Sequence, residues 1–128
     1  MEILVHDPAG DVYPTGDDYV HALELRDPGR LLLVSGTMGL DRDAAAGASL
    51  SEQLALIWSN LRAILASARM TTDDIVRVTS YLRDASDAEA NGAARVAALN
   101  GRAVPTTAIV VQTLSDAWLV EVEVIAAA

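Results

Sequence analysis

The amino-acid sequence predicts an α+β fold: a two-layer sandwich of order ββαβαββ, with both helices on one face of a sheet. Three features carry this reading. Residues 50–68 place apolar side chains at steps of three and four behind a capping pair. Residues 119–126 alternate apolar and acidic side chains, as a strand buried on one side does. The chain has 128 residues, 52% of them apolar, which suits one domain spanning residues 1–128 with a real core.

The elements follow in order. Tyr19 to Leu25 is a short, partly alternating strand, and Leu31 to Val34 is an apolar run. Asp27-Pro28-Gly29 between them is a turn signal, so the two runs read as a hairpin. His6 reads as part of a frayed tail. Ser49 and Glu52 have capping-box spacing, and Leu50, Leu54, Ile57, Leu61, Ile64 and Ala68 form one helical stripe, with Arg69 in the last turn. Ile75 to Leu82 alternates and is rich in β-formers. Ser86 and Glu89 repeat the capping spacing before a helix of small residues anchored by Val96 and Leu99, stopped at Asn100-Gly101. Pro105 opens a strand from Thr106 to Leu114, Ser115-Asp116 turns, and Leu119 to Ala126 is the last strand.

Composition excludes several chemistries. There is no Cys, hence no disulfide, thiolate nucleophile or Cys-ligated zinc. All nine basic residues are Arg, so there is no Lys to form a Schiff base. Two His, His6 and His21, are too few for a His-rich metal site, and no metal is expected. A formal charge of −9 opposes nucleic-acid backbone binding. No apolar run is long enough to span a membrane, and the acidic start lacks the basic region of a signal peptide. The expected setting is cytoplasmic.

The last strand divides its chemistry by face. Val120, Val122 and Val124 point one way and should meet the helices; Glu121 and Glu123 point the other, about 7 Å apart. The strand from Thr106 is apolar on both sides, which implies burial on both sides. Two helices cover only one, so a partner is expected on the other, most simply another copy of the chain. The two glutamates fit a solvated face or an interface ion pair with Arg first; the sharper alternative is a general acid/base in a cleft between subunits.

A set of motifs then occurs in order. These are Val34-Ser35-Gly36-Thr37, Gln53 with Asn60-Leu61, Asp74-Ile75-Val76-Arg77-Val78-Thr79, Tyr81-Leu82-Arg83-Asp84, Pro105 opening a strand, and Val120 to Ala126. Together they resemble the RidA (YjgF) family, from about Tyr19 to Ala126. The resemblance implies a chorismate-mutase-like fold and a homotrimer whose sheets form a central barrel, with pockets between subunits. It also implies hydrolysis of enamine or imine metabolites to ketoacids and ammonia, with no metal or organic cofactor.

Carried over residue by residue, Tyr19 matches the pocket tyrosine and Ser35-Gly36 the Ser-Gly whose backbone lines the pocket. Glu121 matches the glutamate that positions water, and Asn91 lies close to the second-helix asparagine, one residue short in spacing from Asp84. The departure is Pro105-Thr106-Thr107-Ala108: Thr107 stands where the deaminase branch has an Arg that grips the substrate carboxylate, and Ile109 stands where Cys is common. Losing that fork costs a carboxylate substrate about 1.5–3 kcal/mol per charged hydrogen bond. Arg83 and Arg42 are candidate replacements, although surface roles suit both. His21 suits a structural role better than that of a base, and Trp58 and Trp118 suit packing. Two functions remain open: a divergent hydrolase on a small enamine, imine or carbonyl compound, and a non-catalytic small-molecule binding or interaction protein on the same trimer.

Overall fold

A computed structural model describes residues 1–128. The elements are β1 (Glu2–His6), β2 (Ala22–Arg26), β3 (Leu31–Met38), α1 (Leu50–Ser67), β4 (Ile75–Leu82), α2 (Ala88–Ala98), β5 (Thr106–Val110) and β6 (Val120–Ala127). Single 3-10 turns at Thr72–Asp74 and Ala85–Asp87 precede β4 and α2. Four strands form a mixed sheet in the order β3-β6-β4-β5, while β1 and β2 pair as a separate ribbon. β6 runs antiparallel to both neighbours, and β4 and β5 are parallel, joined through α2.

Alternation builds the core. Val78 and Leu82 of β4 and Val120, Val122 and Val124 of β6 are fully buried against Ile57, Leu61 and Leu65 of α1 and Leu99 after α2. The expected valine face therefore meets the helices. No helix is long and apolar enough to cross a membrane.

Both helices end by the same device. Arg69 takes a left-handed φ of 56°, and the amides of Arg69 and Met70 donate to Ala66 and Leu65 carbonyls at 2.9 Å. Arg69 thus lies beyond α1 and not in its last turn, and Leu65 fills the buried position expected of Ile64. After α2, Asn100 takes the left-handed position (φ 53°) ahead of Gly101. At the start of α1 Ser49 caps as expected, accepting from the Glu52 amide at 3.2 Å. The Ser86 cap is not formed: Asp84 accepts from the Ser86 amide at 2.8 Å, and the helix begins at Ala88 after a 3-10 turn.

Strand pairing differs from expectation in three places. The N-terminal segment is not a tail; Glu2–His6 is a strand on β2, with His6 Nε2 2.7 Å from Glu24 Oε2. The order thus gains one strand. The hairpin is not formed: β2 pairs with β1 and β3 with β6, because the alternating face of β6 offers β3 a longer partner than β2 does. Tyr19 falls in the loop before β2. β5 stops at Val110: β4 ends at its register partner Leu82, and a last bond from the Val111 amide to the Leu82 carbonyl at 2.8 Å closes the pairing.

Polar side chains of α1 fix the two strands that matter most below. Buried Gln53 donates to the carbonyls of Gly47 (3.0 Å) and Ala117 (2.9 Å) and accepts from the Leu119 amide (2.9 Å). Asn60 donates to the Leu40 carbonyl at 2.9 Å. Gly39 lies so close to α1 that a Cβ there would sit 2.5 Å from Gln53 Cα. The loop leaving β3 and the loop entering β6 are thus tied to one helix. Gln53→Ala leaves the Leu119 amide and two carbonyls without these partners. A loss of about 2–4 kcal/mol is expected in urea denaturation; a loss below about 0.5 kcal/mol contradicts the clamp.

Candidate functional site

The face of the sheet away from the helices is laid out in cross-strand rows. Between β4 and β6 the rows are Arg77–Ile125, Thr79–Glu123 and Tyr81–Glu121. β5 extends two of them, with Thr107 beside Thr79 and Ile109 beside Tyr81. β3 adds Leu33 beside Ile125. Register then shifts between Val34 and Thr37, which places Ser35-Gly36 in an irregularity at this edge.

That irregularity brings Gly36 under Glu121. A Cβ on Gly36 would overlap the Glu121 carboxylate, and would lie 2.9 Å from its Cδ and 3.1 Å from its Cγ. Only glycine leaves that room. Glu121 and Glu123 are both half-buried. A cavity of about 270 Å³ opens on the same face, walled by Leu33, Arg77, Thr79, Glu123 and Ile125. A larger, shallow cleft of about 670 Å³ lies at the outer edge of β3, where Ser35, Gly36, Arg42 and Asn60 line it.

Tyr81 and Glu123 are coupled. The Tyr81 hydroxyl donates a short hydrogen bond to Glu123 Oε1. That bond raises the phenol above its ordinary value near 10; desolvation and the charges of Glu123 and Glu121 add to it, and Arg77 opposes.

The expected site residues separate into two groups. Glu121, Gly36, Thr107 and Ile109 share the helix-free face, and Ser35 is exposed beside Gly36. Tyr19 and Asn91 lie apart from it. Asn91 is buried on α2. Tyr19 is half-buried in a loop that Arg95 of α2 holds, donating to the Asp18 carbonyl at 2.6 Å and its carboxylate at 2.9 Å. The Val20 amide donates to Val104 at 3.4 Å, so Tyr19 sits at the β5 end of the sheet, two strands from Glu121. His21 is structural: its Nε2 donates to the Tyr13 carbonyl at 2.7 Å.

Of the two Arg proposed to replace the missing one, Arg83 is already engaged, donating to Thr113 Oγ1 (2.8 Å) and Asp116 (3.0 Å). Arg42 is exposed in the cleft beyond β3. The residue overlooked is Arg77, whose Nη2 donates to Thr107 Oγ1 at 3.0 Å. The alternation of Ile75 to Leu82 placed Arg77 on this face, but only the parallel pairing of β4 with β5 puts it beside Thr107. No group of three or more His, Asp or Glu side chains is placed to hold a metal ion.

The Tyr81–Glu123 pair makes a pH prediction. A raised folded-state value means the neutral phenol is favoured by the fold, so this stabilisation is present below pH of about 10 and lost as pH rises through the raised value. In an ultraviolet titration, one of the three tyrosines should ionise above the ordinary range, and Glu123→Gln should lower it. An unchanged titration in Glu123→Gln contradicts the pairing.

Comparison with known proteins agrees with this architecture. The endoribonuclease L-PSP family model matches residues 12–128. A Rid-family protein of unknown function from Yersinia pestis, YyfB, is 27% identical with a TM-score of 0.86 over 100% of both chains. RidA from an Antarctic Psychrobacter has a TM-score of 0.73 over 95% of this chain and 94% of its own, at 24% identity, a likeness of fold alone. The RutC family protein YjgH of Escherichia coli (strain K12) is 43% identical over 56 residues. That match spans 44% of this chain and 43% of YjgH, less than half of either. With a family match running from Val12 to the last residue and a Rid-type fold along the whole chain, this protein belongs to the endoribonuclease L-PSP family, the RidA/YjgF group.

Proposed function

We propose that the protein is a divergent RidA-like hydrolase. Its substrate is a reactive enamine, imine or related small carbonyl metabolite, and its pocket lies between copies of a cytoplasmic homotrimer. The observation that carries this reading is Glu121 resting on Gly36, the glutamate and the Ser-Gly glycine of the family pattern, on the face the helices leave open. Leu31, Leu33 and Ile109 on that face are 59%, 73% and 46% exposed in the single chain, an apolar surface suited to a second copy. β3 and β5 are both sheet edges, and Tyr19 sits at the β5 edge, so an adjoining copy is the means of bringing a Tyr19 to a Glu121.

In this reading Glu121 takes a proton from a bound water as the water's oxygen adds to the C=N carbon. The proton passes to nitrogen, and the carbinolamine collapses to a carbonyl compound and ammonia. The Gly36 backbone, Ser35 and Thr107 hydrogen-bond the polar end of the substrate. Tyr19 of an adjoining copy orients it, and Ile109 packs against it; Asn91, buried on α2, takes no part. No metal or organic cofactor takes part. The family label names an endoribonuclease, but a chain of charge −9 with two carboxylates on its candidate face is poorly suited to RNA.

Thr107 favours a second reading, a non-catalytic binding or interaction protein, because its hydroxyl brings no charge to the position where the family pattern has Arg.

An imine generated in place by an amino-acid oxidase separates the two. Ammonia release faster than the spontaneous rate is expected, and Glu121→Gln should slow it by roughly 10²-fold or more. Gly36→Ala should slow it as well while keeping the thermal midpoint near that of the parent, since the group displaced is the end of a flexible side chain. Release at the spontaneous rate leaves the binding protein. Sedimentation should give a trimer; a monomer removes the inter-subunit pocket.

A further inference from the structure

We infer that Arg95 is a positioning residue: from α2 it fixes, through Asp18, where Tyr19 stands. Tyr19 has little else to hold it. Residues 7–21 connect β1 to β2 without a strand of their own, and Ala9 and Val12 form an isolated bridge among them. The backbone tie next to Tyr19 is the Val20 amide on the Val104 carbonyl, which is long at 3.4 Å.

Arg95 supplies what that tie lacks. It lies with Asn91 and Ala98 on the buried face of α2. A guanidinium so shielded is destabilising unless its charge is met. Here one residue meets it at two points: Nη1 donates to the Asp18 carbonyl at 2.6 Å, and Nη2 to the Asp18 carboxylate at 2.9 Å. The Asp18 side chain is half exposed. The buried partner thus belongs to a helix packed on the core and the exposed partner to a loop, so the helix holds the loop. Gripping carbonyl and carboxylate together fixes the main chain of Asp18 as well as its side chain, and with it the direction in which Tyr19 leaves. A lysine, a single point of charge on a flexible stem, does not present the two parallel donors this grip uses.

The ring of Tyr19 is braced from the other side. The His21 amide donates to Asp7 Oδ1 at 2.9 Å, and its Nε2 to the Tyr13 carbonyl at 2.7 Å. The imidazole held in this way meets the Tyr19 ring edge to face, with centroids 6.4 Å apart and planes at 76°. The Tyr19 hydroxyl stays free: of the three tyrosines, only Tyr81 engages its hydroxyl within the chain, on Glu123. Tyr19 is therefore fixed at its backbone and its ring while its donor is available, at the β5 edge of the sheet. In the function proposed above, on which this step rests, that hydroxyl reaches the substrate at Glu121 of an adjoining copy. Arg95 then sets the geometry of a pocket to which it contributes no contact of its own.

The test follows Tyr19 itself and its coupling to Arg95. The full chain is labelled with fluorotyrosine, and the Tyr19 fluorine resonance is assigned by its loss in Tyr19→Phe. Arg95→Met should shift that resonance and leave the Tyr81 resonance in place; Arg95→Lys should shift it less, and Arg62→Gln, exposed on α1, should shift neither. In imine hydrolysis Arg95→Met should lower kcat/KM by roughly tenfold. In a Tyr19→Phe background the same change should cost less than about twofold, because a residue that acts through the Tyr19 hydroxyl has nothing left to place. A folding defect would lower both backgrounds alike. An unmoved Tyr19 resonance, or an equal loss in both backgrounds, overturns the positioning role. If Arg95→Met fails to fold, Asp18→Ala replaces it, and an unmoved resonance there overturns the role. The two claims fail separately. A shifted resonance with no turnover in the parent keeps Arg95 as the support of Tyr19 and removes the hydrolase. Turnover with an unmoved resonance keeps the hydrolase and removes the support.

Discussion

The amide side chain of Gln53 joins helix α1 to two loops distant in sequence. It reaches the loop after β3 through Gly47 and the loop before β6 through Ala117 and Leu119. Those loops flank the two strands that bring Gly36 and Glu121 together. An apolar residue of the same size would pack equally well but would leave a buried amide and two carbonyls unmatched, so the polar side chain is the price of the register. Asn60 and the close approach of Gly39 to α1 brace the same loop.

With the helices covering one side, the sheet's two faces take on different work. The inner face is valine and leucine and supplies cohesion. The outer face carries Arg77, Thr79, Tyr81, Glu121 and Glu123 between the apolar side chains of Leu33, Ile125 and Ile109. Its charges are ordered across the strands. Acids occupy β6, the cation leans from β4 toward β5, and a phenol bridges to one of the acids. Such an arrangement can hold a negative group at one place and a proton acceptor at another without the two cancelling.

Much of this was legible in the sequence. The alternation of Ile75 to Leu82 marked β4 to the residue, and the valine–glutamate alternation correctly assigned the two faces of β6. The Ser49 cap and the α1 stripe are local patterns with local causes. What escaped depends on distant partners. Glu2–His6 becomes a strand only because β2 is beside it, and Asp27-Pro28-Gly29 turns the chain without pairing the strands it separates. The length of β5 is set by where β4 ends. Gln53 was visible only as one position of the family pattern, and its partners lie up to 66 positions away. Of the site, Glu121 and Gly36 were each singled out through the family pattern, but their contact depends on the pairing of β3 with β6, and the contact of Arg77 with Thr107, 30 positions apart, on the parallel pairing of β4 with β5.

The central claim is that small carbonyl chemistry belongs to the helix-free face, at Glu121 over Gly36. Backbone amide shift mapping with 2-oxobutyrate tests it most directly. The account predicts perturbations concentrated at Gly36, Thr107, Ile109 and Glu121. Perturbations confined to the groove between α1 and α2, at Trp58 and Ala94, with none on the helix-free face, would contradict it.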